Sequence, residues 1–81
     1  MPRYDALFPA GVRVRVAERS KLEAFRETWR FHNPLEDAQL ALAGIGAVVK
    51  SVGYYHGGDV LYRLEGVPGI WHECCLESAS P

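Results

Sequence analysis

Apolar and polar residues alternate strictly over Val12-Arg13-Val14-Arg15-Val16. A period of two places the valines on one face of a strand and the arginines on the other. The valine face is expected in a core and the arginine face in water. The period then changes. Leu22, Phe25 and Trp29 recur at spacings of three and four, which is one helical stripe, and predict a helix over residues 20–30. Ser20 and Glu23 have the form of a capping box at its start. Pro34 predicts the stop near His32-Asn33, because its ring disfavours the α conformation in the residue before it. Residues 35–43, LEDAQLALA, predict a short helix that gives way to extended chain.

The centre of the chain is residues 44–65, GIGAVVKSVGYYHGGDVLYRLE. The Val- and Tyr-rich run 47–55 and the run 60–65 favour strands. His56-Gly57-Gly58-Asp59 between them predicts a hairpin turn, where glycine supplies positive φ at little steric cost. Val60, Tyr62 and Leu64 share one face of the return strand. Gly44, Gly46 and Gly53 interrupt the outgoing strand and predict bending, either as a bulge or as close backbone approach. A single bulge reverses every side chain beyond it, so the pattern leaves open whether Tyr54 or Tyr55 faces outward. Residues 66–69 predict a second turn, 70–73 a last short strand, and 74–77 one helical or 3₁₀ turn. Residues 78–81 are expected to fray.

Taken in order, a strand opening on Gly-Val-Arg-Val is followed by a long excursion. Then come a Gly-Ile-Gly-Ala-Val-Val entry to a bent hairpin and a last strand, Trp-His-Glu, ending near Leu76-Glu77. This order resembles an SH3-like small β-barrel and is similar to the barrel domains of nitrile hydratase β-subunits and of mind-bomb-type repeats. The resemblance covers residues 11–16 and 44–77. Residues 17–43 depart from it, because a helix lies there. It implies a mostly β fold with one inserted helix, an SH3-like antiparallel barrel of four or five strands. The whole of residues 1–81 would be a single domain, with the helix-bearing insertion at about 18–43. Such barrels mostly act as binding modules, but no functional residue transfers on fold alone.

Composition narrows the function classes. A chain of 81 residues has room for one core, and burial of only about 60–65% of its unfolded surface leaves a thin margin that a second copy would widen. The net charge of −1 argues against a broad grip on nucleic acid or anionic lipid, which needs a surplus of Lys and Arg. The chain has no apolar run long enough to span a membrane and no basic-then-apolar leader. Cys74 and Cys75 are neighbours, so an ordinary disulfide cannot join them, and a reducing, cytoplasmic setting is expected.

Three kinds of chemistry remain to be weighed. His32, His56, His72, Glu73, Cys74 and Cys75 include every ligand type zinc uses, but no Cys-x-x-Cys or His-x-x-x-His spacing is present, so neither metal nor cofactor is expected. His72 with Cys74 or Cys75, and Glu73 or Asp59 as orienting carboxylate, has the inventory of a nucleophilic site and defines a small-enzyme or ligand-binding alternative. Arg13, Arg15, Arg26 and Arg30 could converge into an anion patch, a nucleic-acid alternative that Glu18, Glu23 and Glu27 would dilute. The aromatic density is the stronger signal. Tyr54, Tyr55 and Trp71, with His56 and His72 beside them, are expected to form a surface that binds a protein segment or a second copy of the chain.

Overall fold

The computed structural model describes residues 6–55 and 59–79. Five antiparallel strands and two helices make a mostly β fold. In chain order these are β1 (Arg13–Val16), α1 (Arg19–Thr28), α2 (Asp37–Leu40), β2 (Gly46–Tyr55), β3 (Asp59–Leu64), β4 (Val67–His72) and β5 (Leu76–Ser78), with a 3₁₀ turn at Glu73–Cys75 between the last two. The strand order is β4-β3-β2-β1-β5. The two edge strands are therefore consecutive in sequence, and the single 3₁₀ turn carries the chain from one edge to the other.

The alternation in β1 does what its period dictates. Val14 and Val16 are buried, Arg13 and Arg15 are exposed, and Val12 lies outside the strand on the surface. Leu22 is the fully buried residue of the α1 stripe, while Phe25 packs against the core from its margin. Ser20 is not a cap. The helix begins one residue earlier with Glu18 at the cap position, and the Ser20 hydroxyl donates to Glu18 Oε1 at 3.0 Å. The reciprocal contact sits instead on α2, where the Glu36 N–H donates to Gln39 Oε1 at 2.9 Å. That one-turn helix is the short one expected within residues 35–43, and residues 41–44 leave it as turns rather than extended chain. Arg26 ties α1 to α2 through Asp37 at 2.6 Å.

β2 is shared between two sets of partners. Its first half pairs with β1 and its second with β3, and the register slips between Val49 and Ser51. The bulged residue is thus Lys50 rather than any of the glycines, and the bend comes from the extra residue it inserts. A second slip separates Tyr62↔Trp71 from Leu64↔Val67. Pro68 and Gly69 lie in that interval, on an edge strand, where a proline without an N–H costs no ladder bond. The turn expected at 66–69 is only Glu65-Gly66, and β4 starts at Val67. Leu76–Ser78, expected to be turn and frayed end, pairs with β1 as a fifth strand. Among the described residues no helix is long and apolar enough to cross a membrane.

Trp71 and Tyr62 are the largest side chains buried in the core, joined by Leu22, Val14, Val16 and Val49. Tyr62 donates to Glu73 Oε2 at 2.5 Å, and burial together with that carboxylate holds its phenol well above the usual tyrosine range.

Candidate functional site

The site begins where α1 stops. Trp29 leaves the helix in an extended conformation, and its indole N–H reaches back to donate to His32 O at 2.6 Å. Asn33 then adopts φ 50°, a left-handed conformation that asparagine tolerates better than most residues. The combination folds the loop onto the sheet and delivers His32 to the start of β3. His32 Nε2 is 2.7 Å from Asp59 Oδ2, its Nδ1 is 3.0 Å from Asn33 Oδ1, and its ring stacks on Tyr55 with centroids 3.6 Å apart. Both oxygens are acceptors, so the arrangement favours a ring protonated on both nitrogens. Partial burial of the ring works against the charge, but the hydrogen bonds to Asp59 and Asn33 outweigh it, and the His32 pKa is raised.

His72 is the counterpart. Its Nε2–H donates to the Asn33 carbonyl at 2.8 Å, and Phe25 and Trp29 pack on its ring. It is 4% exposed. Burial, reinforced by His32 nearby, pushes its pKa down. One left-handed asparagine thus supplies an acceptor to each of two histidines whose pKa values shift in opposite directions.

Beside this loop the β2–β3–β4 face carries a groove of about 320 Å³. The register Ser51↔Arg63, Gly53↔Leu61 and Tyr55↔Asp59 sets these residues along one face, with Ile70 of β4 beyond them. Tyr54 and Tyr55 line the same groove and are 37% and 40% exposed. Among the described residues Arg63 is the only charged side chain in its lining, and no carboxylate pairs with it. A Cβ built on Gly53 would meet nothing within 4 Å.

The residues expected to form one surface are therefore divided. Tyr54 and Tyr55 are both exposed and both border the groove, although as neighbours in a strand their side chains point to opposite faces. His56 lies outside the described residues. Trp71 is 0% exposed and belongs to the core, because its cross-strand partner Tyr62 is itself a core residue. His72 is buried beneath α1 and offers no surface. Asn33, Ser51, Gly53 and Arg63 are not among the site residues the sequence predicts, and His32 is among them only as a possible zinc ligand. The available signals were an asparagine at a helix stop and a glycine within a Val/Tyr-rich strand.

Other chemistry finds less support. Cys75 is buried, and burial with the neighbouring Cys74 thiol pushes its pKa up to about 12. A thiol held there is not a nucleophile at neutral pH. Cys74 is exposed and lines a separate cavity of about 250 Å³ with His72, Glu73 and Asp59; the His72 Nε2–H goes to a carbonyl, which leaves Nδ1 as the basic nitrogen, and among the described residues no hydrogen bond joins it to Cys74. Among the described residues no group of three or more His, Cys, Asp or Glu side chains could hold a metal ion. Of the four arginines expected to converge, Arg15 faces Glu77 at 3.9 Å and Arg26 is bound to Asp37. No family model, curated protein or solved structure matches the chain.

Proposed function

We propose that the chain closes as an SH3-like barrel and works as a non-enzymatic binding module, taking a protein segment into the groove beside Tyr54 and Tyr55. Closure is supported by the single 3₁₀ turn that links the two edge strands, since a sheet whose edges are joined by one short turn is drawn round on itself. The observation that carries the binding function is the groove: two tyrosines more than a third exposed, on rigid strands, over an open apolar floor. Tyrosine offers large contact area at small conformational cost.

Binding on the face, rather than by adding a strand at the β4 edge, is supported by Gln39. Its Nε2 donates to Ile70 O at 3.0 Å and so occupies an acceptor that an added strand would need. Titration of the ¹⁵N-labelled chain with candidate peptides tests this reading. Shifts are expected at Ser51–Tyr55 and Leu61–Arg63. Shifts confined to the β1–β5 end of the sheet would remove the groove from the proposal. A rise in sedimentation mass without any peptide would replace the segment by a second copy of the chain.

A further inference from the structure

The groove contains one residue that the fold itself does not explain. Gly53 sits inside β2, where a glycine weakens a strand by its entropy and its missing side chain. Gly11, Gly44, Gly66 and Gly69 all have positive φ, and a Cβ on Gly46 would meet the Val14 carbonyl oxygen at 3.9 Å. Gly53 has no positive φ, the bulge in its strand is at Lys50, and an added Cβ would touch nothing within 4 Å. Space left open on a strand at no structural benefit is space for something else, and a close-approaching second backbone is what a strand glycine commonly admits.

Charge indicates what that second chain carries. The protein has ten acidic and nine basic residues, yet no acidic residue lines the groove and Arg63 does. Arg63 lies across the strand pair from Ser51, so a guanidinium fork and a hydroxyl stand together above an apolar floor of Leu61 and Ile70. A carboxylate matches that fork with two parallel hydrogen bonds. We infer that the groove binds an extended peptide segment bearing an Asp or Glu side chain between apolar residues, with Arg63 as the ionic partner and Gly53 as the clearance for the peptide backbone. This rests on the binding-module reading and names the chemistry of its ligand.

The test is an array of capped octapeptides built from Leu, Val, Tyr and Pro with one central Glu, Gln or Lys, probed with the full chain and with G53A and R63Q. Capping the ends leaves the central residue as the only charge. The Glu set is expected to bind roughly tenfold or more tighter than the Gln set, and the Lys set weakest, as a charge-assisted hydrogen bond implies. G53A is expected to keep or raise its unfolding midpoint, since the new methyl meets nothing and the unfolded chain loses entropy, while losing binding by about tenfold or more. R63Q is expected to bind Glu and Gln peptides alike. Equal binding of Glu and Gln peptides by the unaltered chain would overturn the acidic ligand and leave the module standing. Undiminished binding by G53A would overturn the groove as its location. Failure of every peptide to bind would remove both.

Discussion

His32 Nε2 and Asp59 Oδ2 lie 2.7 Å apart, and this contact joins the loop after α1 to the first residue of β3. Because the folded His32 pKa is raised above 6.5, its stabilising contribution is present below that pH and is lost as pH rises through the raised value. His72 has the opposite sign. Its folded pKa lies below 6.5, so its contribution is present above that pH and is lost as pH falls through the depressed value. Two-dimensional NMR of the imidazoles, assigned with H32Q and H72Q, is expected to show His32 titrating above 6.5 and His72 below it. The reverse order would exclude this arrangement of acceptors. The Asp59 side chain is 49% exposed, so H32Q/D59N double-mutant coupling should reach only about 0.2–1 kcal/mol. It should fade in alkaline buffer.

Gly69 and Gln39 set the β4 edge together. Gly69 has φ 95°, and a Cβ there would stand 2.8 Å from Gln39 Nε2. Gly69→Ala therefore combines backbone strain with displacement of the amide that holds Ile70 O, and should cost about 1–3 kcal/mol in urea unfolding. Gln39→Ala removes the clash, so the double variant should lose less than the two single losses added together. Strict additivity would mean that the amide moves aside without penalty.

How far the sequence disclosed these relationships depends on their range. The β1 alternation and the Leu22-Phe25-Trp29 stripe are local patterns, and both elements formed where the periods placed them. Lys50 gave no warning of the bulge, because the slip is decided by which residues of β3 and β1 oppose β2 and not by a turn-forming residue. Trp71 was misjudged because aromatic type does not distinguish a core partner from a surface anchor, and only the pairing with Tyr62 does. β5 was missed because three residues after a 3₁₀ turn carry no period, and they become a strand only when β1 stands beside them. The His32 loop was hidden for the same reason: its partners, Asp59 and Tyr55, lie more than twenty residues away along the chain.

The burial of Trp71 makes a separable prediction. Trp71→Ala opens a large cavity beside Tyr62 and should cost about 3–5 kcal/mol. Among the described residues Trp71 Nε1 is a buried side-chain donor with no partner. Trp71→Phe removes that unpaired N–H, whose burial costs about 1–3 kcal/mol, and this offsets part of the lost packing. The phenylalanine variant should therefore lie within about 2 kcal/mol of the original chain in denaturant unfolding. Equal destabilisation by the two substitutions would show that the indole N–H is in fact bonded.

Thiol reactivity tests the chemistry that the buried cysteine opposes. Iodoacetamide reacts with thiolate, and a Cys75 thiol with its pKa pushed up to about 12 presents almost none at pH 8. In the native protein, alkylation at that pH should stop at Cys74, the exposed thiol, and mass spectrometry should find Cys75 carbamidomethylated only after denaturation. The His72 ring gives a second handle. It lines the Cys74 cavity, but its Nε2–H is spent on the Asn33 carbonyl. A base would have to act through Nδ1, which among the described residues makes no hydrogen bond to Cys74. H72Q should consequently leave the Cys74 alkylation rate within about twofold, since an unassisted thiol depends on its own ionisation. A tenfold drop in that rate would instead show His72 drawing the proton from Cys74, and would return the nucleophilic reading of this cavity to first place.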